Sequence, residues 1–94
     1  MDERIKEIAN AKDTEIVEMG MALGEGHKIS YNPLFTYQLF NCNAVVLLGD
    51  NGIGGMSHYP RREVHPAKYL PVFIGEMKAR SPGTLKAIPI GGCD

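Results

Sequence analysis

Cysteine is scarce in this chain of 94 residues: there are 2, Cys42 and Cys93, far apart and with no neighbouring pair. That excludes a disulfide framework and a CxxC redox or zinc motif. In a reducing cytoplasm both read as thiols. Long apolar runs are missing too. The longest, Ala44 to Leu48 and Leu70 to Ile74, are far too short to cross a bilayer. The opening "MDERIKEI" is charged where a signal peptide needs an apolar segment. The expectation is a cytoplasmic protein without membrane insertion. No sign of charge dominates: 10 Lys and Arg face 11 Asp and Glu, for a net charge of −1. With Arg61 and Arg62 the only adjacent basic pair, there is no electrostatic footprint for nucleic acid.

What the chain does have is the composition of an ordinary globular protein, 44% hydrophobic and 22% charged. Its length allows one domain, read as 1–94, with an N-terminal helix over 1–12 and a core over 16–94. Ile5, Ile8 and Ala9 set the helical spacing of the first segment. From Ile16 the period becomes two, with Val17, Met19, Met21 and Leu23 alternating along a strand that bends at Gly24 to Gly26. After the turn at "SYNP", the stretch "LFTYQLF" alternates as a second strand.

"AVVLL" has the continuous apolar character of a strand covered on both faces. "GDNGIGG" follows it with a hairpin signal, in which Asn51 and Gly52 both take positive φ, and "GGMSHYP" is the return strand. Further on, Leu70, Phe73, Ile74 and Met77 fall on one helix face. Pro66 and Pro71 confine that helix's start, and "SPG" at Ser81 to Gly83 ends it. "TLKAIPI" is a last strand whose proline points to an edge or bulged position. The fold class is α+β, mainly antiparallel with a helix packed on one side. An open edge strand of such a sheet would suit a homodimer.

Cys42 supports two readings. Cysteine is among the most buried residue types, so a structural thiol is one; a nucleophile served by a nearby base is the other. His58 is the available base. A turn at Asn51 and Gly52 places the partner of Cys42 near position 61, a few residues from His58. Gly54 and Gly55 are either flexible hairpin residues or a place where bare backbone admits a substrate. Thr36 is first a β-former, and second a hydroxyl able to orient an imidazole. His27 and His65 read as solvated loop residues, the latter preceding the helix at Pro66. Cys42, His58, His65, His27 and Cys93 do not have zinc-site spacing, and "GDNGIGG" lacks the strand and helix context of a nucleotide loop. No metal and no cofactor is expected.

Together these segments resemble the chemoreceptor glutamine deamidase family CheD and, more distantly, deamidating toxins of the cytotoxic necrotizing factor type. "MGMALGEGHKIS" is similar to the family's opening strand and "LFTYQLFNCNAVVLL" to its strand leading to the catalytic cysteine. "GIGGMSHYP" is similar to its Gly-Gly-x-x-His segment, and "KYLPVFIGEMKARSPGTLKAIPIGG" to its helix, strand and Gly-Gly. The likeness runs from Met19 to Gly92. It implies an α/β/β sandwich, abbreviated at the C-terminus, as a minimal version or a fragment. It further implies Cys42 as nucleophile, His58 as general base and acid, and Thr36 as the residue orienting the histidine. The substrate and oxyanion region would include Asn41, Asn43, Gly54, Gly55 and Ser57. The implied activity is hydrolysis of a protein glutamine amide through a thioester, with a protein substrate or regulatory protein as partner. A non-catalytic binding module on the same scaffold is the alternative. One departure is local: Phe40 and Asn41 stand where the family carries glycine and serine.

Overall fold

The computed structural model describes residues 13–21, 24–39, 41–60 and 62–91. The helix expected over 1–12, together with Phe40 and Cys93, lies outside the described residues. Among the described residues, six strands and one helix follow in chain order: β1 (Glu15–Ile16), β2 (His27–Ser30), β3 (Leu34–Phe35), β4 (Cys42–Gly49), β5 (Gly54–Pro60), α1 (Pro66–Arg80) and β6 (Leu85–Gly91). Strands β2, β5, β4 and β6 form one antiparallel sheet in that order, and β1 and β3 pair separately as a short parallel ribbon. This is a small α+β fold.

The β4–β5 hairpin forms where the sequence places it, with a different turn. Gly49 N–H donates to the Ile53 carbonyl at 2.9 Å, leaving a three-residue loop in which Gly52 has φ of 90° while Asn51 stays out of the positive-φ region. Asn51 instead uses its side chain: Oδ1 accepts from Ile53 N–H at 3.3 Å, and Nδ2 donates to the Arg80 carbonyl at 3.2 Å. The resulting register pairs Cys42 with Pro60 and Ala44 with His58.

Residues paired across an antiparallel sheet point to the same face, so this register sorts the side chains. Val45 and Leu47 face α1 and join Ile53, Phe73 and Met77 in one buried cluster. Tyr59, Val64 and Tyr69 form a second on the same side. The helix begins at Pro66, with His65 Nδ1 accepting from Ala67 N–H at 3.0 Å, so His65 serves as the N-cap. Pro71 lies inside α1 rather than confining its start; there it removes one backbone donor, while Tyr69, Phe73 and Met77 on the buried face hold the turns around it.

Three further expectations need correction. Among the described residues, the strand expected over 16–23 is regular at Ile16 alone, the end of Glu15–Ile16, and "LFTYQLF" at Leu34–Phe35 alone. After Phe35 the chain leaves extended geometry, with φ of 58° at Gln38 and 54° at Asn41. His27 is no solvated loop residue: it lies on β2 with its side chain 5% exposed. β6 is an edge strand carrying Pro89, as its proline requires. No helix among the described residues is long and apolar enough to cross a membrane.

Candidate functional site

On the sheet face away from α1, Cys42 and His58 are diagonal neighbours, because His58 stands opposite Ala44, two residues beyond the cysteine. Such diagonal pairs are about 7–8 Å apart at Cα, within reach of long side chains. Both residues are buried, Cys42 at 3% and His58 at 4% exposure. The segments 17–20 and 35–39 cover this end of the face. Their attachment is backbone-based: Val17 N–H donates to the Phe35 carbonyl at 2.8 Å, and Gly20 N–H to the His58 carbonyl at 2.9 Å.

Thr36, on the second covering segment, bridges the first to the histidine. Its Oγ1 donates to the Val17 carbonyl at 2.7 Å and lies 2.7 Å from His58 Nδ1. A hydroxyl has one proton. With that proton given to Val17, the hydroxyl accepts from Nδ1–H, which assigns the His58 tautomer and leaves the Nε2 lone pair unprotonated. Nε2 is buried and has no hydrogen-bond partner. Burial also pushes the His58 pKa down, so the imidazole is held neutral. A neutral, oriented ring with an unengaged lone pair is what a general base requires.

The thiol of Cys42 donates to Met19 Sδ at 3.5 Å. Met19 is itself 47% exposed, so a flexible side chain separates the sulfur from solvent. Beside it, a cleft of about 400 Å³ is lined by Val17, Glu18, Met19, Tyr37, Gln38 and His58. Asn41, immediately before the cysteine, is exposed with φ of 54°. Asparagine tolerates this left-handed geometry better than most residues. The chain thus reaches Cys42 through a backbone conformation that glycine would otherwise supply.

The remaining residues of the expected oxyanion region are placed elsewhere. Ser57 pairs with Val45 on the helix side, where its Oγ accepts from Val45 N–H at 3.0 Å. Asn43 pairs with Tyr59 and shares that side. Gly55 lies under the helix; a Cβ there would come within 2.9 Å of Phe73, so core packing accounts for this glycine. Gly54 pairs with Leu48, four residues and about 13 Å along β5 from His58. The fold brings Cys42, His58, Thr36 and Asn41 to one end and leaves those four apart from it.

Sequence reasoning missed the platform beneath. Tyr59 Oη accepts from Gly24 and Gly26 N–H at 3.0 and 3.1 Å and meets His27 Nδ1 at 3.2 Å. His27 Nε2 reaches Glu76 at 2.5 Å. Gly26 completes the attachment, its carbonyl accepting from His58 N–H at 2.7 Å. This chain of contacts ties the Gly24–Gly26 turn, the strand carrying His58 and α1 together. Its members are scattered along the sequence, and no local pattern joins them. Met19 was legible only as one face of a strand. Among the described residues, no three His, Cys, Asp or Glu side chains cluster as a metal site.

Compared with known proteins, the chain matches no family model, no curated protein and no solved structure.

Proposed function

We propose that the chain is a cysteine-dependent protein-glutamine deamidase of the CheD-like kind, with Cys42, His58 and Thr36 as its site. The observation that carries this reading is the hydrogen bond between Thr36 and His58 Nδ1 at 2.7 Å, which leaves Nε2 basic on the sheet face that Cys42 shares. In the proposed reaction Nε2 takes the Cys42 proton, and the thiolate attacks the side-chain carbonyl carbon of a glutamine. Backbone N–H groups beside the cysteine stabilise the oxyanion. As the C–N bond breaks, the imidazolium returns its proton to the departing ammonia. Water, deprotonated by the same nitrogen, then cleaves the thioester to glutamate and restores the thiol. Displacement of Met19 opens the sulfur to the cleft.

Ammonia release from glutamine-containing helical peptides tests this, with Cys42→Ala as the comparison. Release by the wild type alone is the expected result. Equal background in both sinks the enzymatic reading and leaves the binding-module alternative. That alternative has its own support: Leu48, Ile88 and Ile90 are 41%, 39% and 42% exposed on the sheet face that α1 does not cover.

A further inference from the structure

We infer that Cys42, Met19 and His58 form a site for a soft monovalent metal ion, Cu(I). The inference uses the same side chains as the deamidase reading but does not depend on that chemistry. Three observations converge. The Cys42 thiol and the Met19 thioether lie 3.5 Å apart, sulfur to sulfur. For metal–sulfur bonds of about 2.3 Å, this separation corresponds to an S–metal–S angle of roughly 100°, close to tetrahedral. The sulfurs therefore need little movement to share an ion.

The second observation is the nitrogen. His58 is 4% exposed, and its Nε2 is buried without a hydrogen-bond partner. With Nδ1 held by Thr36, Nε2 is the edge of the ring turned away from that hydroxyl, and His58 and Met19 line the same cleft. An imidazole fixed by a hydrogen bond at its other nitrogen is the arrangement that metal-binding histidines adopt, and Thr36 fills that supporting role. Thirdly, the donor types select the ion. A thiolate and a thioether favour Cu(I) over harder cations, and imidazole is compatible with it. The absence of a carboxylate among the three disfavours calcium and magnesium.

Binding replaces the S–H bond of Cys42 with an S–Cu bond and releases one proton to the buffer; the metal is supplied as Cu(I), so no electron is transferred. Met19, half exposed, is the entry point.

The test is anaerobic competition of the full chain with the Cu(I) chelator bicinchoninate, in a Cys93→Ser background so that one thiol remains. The expected result is one ion withdrawn per chain. Thr36→Val should weaken binding by about 10–100-fold through the loosened imidazole, and Met19→Leu, a substitution of similar size at a half-exposed position, by at least as much. X-ray absorption of the loaded protein should show two sulfurs and one nitrogen. Withdrawal no greater than that of Cys42→Ser, or affinity unchanged by Met19→Leu, would overturn the inference. Deamidation is scored separately on glutamine peptides without copper. Metal binding with no ammonia release removes only the deamidase reading, and ammonia release with no metal binding removes only this one.

Discussion

The hydroxyl of Thr36 stands 2.7 Å from His58 Nδ1 and gives its own proton to the Val17 carbonyl, also at 2.7 Å. This pair decides which ring nitrogen of the histidine is basic. Thr36→Val removes the acceptor and leaves Nδ1–H unsatisfied. The expected outcome is slower alkylation of Cys42 by iodoacetamide near neutral pH, by about tenfold, with a stability loss of about 1–3 kcal/mol. Thr36→Ser should retain the wild-type rate. Mass spectrometry that resolves Cys42 from Cys93 measures it; an unchanged rate in Thr36→Val would show that the hydroxyl does not govern the thiol.

Tyr59 carries the platform below. Tyr59→Phe leaves Gly24 and Gly26 N–H and His27 Nδ1 without the hydroxyl they share. Two backbone donors lose their acceptor in a partly buried setting, so a loss of about 2–3 kcal/mol is expected in urea unfolding. Hydrogen exchange should show the Gly24 and Gly26 amides losing protection before those of β4. Retained protection would mean that the backbone alone holds this turn.

Two glycines should respond in opposite directions to the same substitution. A Cβ on Gly26 would lie 2.5 Å from the His58 carbonyl oxygen and 2.7 Å from Gly20 N, both backbone atoms. Gly26→Ala is therefore expected to destabilise by about 1–3 kcal/mol or more. At Gly75, inside α1, a Cβ would meet nothing within 4 Å, and Gly75→Ala should stabilise by about 0.5–1 kcal/mol. Thermal or urea midpoints decide both.

Asn41 supplies the left-handed step into the cysteine. Asn41→Gly should leave stability within about 1 kcal/mol of wild type, whereas Asn41→Val places a β-branched residue at φ of 54° and should lose about 1–2 kcal/mol. Equal stabilities for the two variants would show that this backbone conformation is not required.

Stability should fall in two steps on acidification. Burial lowers the His58 pKa, so its contribution is complete above the unfolded value of about 6.5 and is lost as the pH falls below it. His58→Gln should flatten this upper step. The Ser30 hydroxyl donates to the Glu15 carboxylate, and this bond lowers the Glu15 pKa below its ordinary 4.5. That contribution persists above 4.5 and disappears at lower pH, and Ser30→Ala should remove it. Urea unfolding across the range checks the order; an upper step that survives His58→Gln would assign it to another group.

The parts legible in the sequence are those in which neighbours along the chain cooperate. A β-branched run followed by Asn51 and Gly52 specifies a hairpin, and its register follows to within one residue, because Cys42 meets Pro60 rather than position 61. A stripe at Leu70, Phe73, Ile74 and Met77 specifies a helix face, although Tyr69 joins the buried side as well. The hairpin turn places Cys42 and His58 near one another, whereas nothing in the spacing brings Thr36 to them; Thr36 enters the set only as an expectation from the resemblance.

Alternation alone could not place the segments around Val17 and Tyr37. Their backbone bonds are made to distant partners, and left-handed steps at Gln38 and Asn41 interrupt the period. Ser57 and Asn43 sit beside candidate residues in sequence and on the opposite face in space, because each step along a strand reverses the side chain's direction. Met19 over Cys42, and Tyr59 between two glycine amides and His27, depend on chain segments meeting across the fold. Local propensity and turn chemistry act over a few residues and set the hairpin and the helix. Sheet pairing and the packing of covering segments act between remote residues, and they set which nitrogen of His58 is left basic and what lies against the thiol.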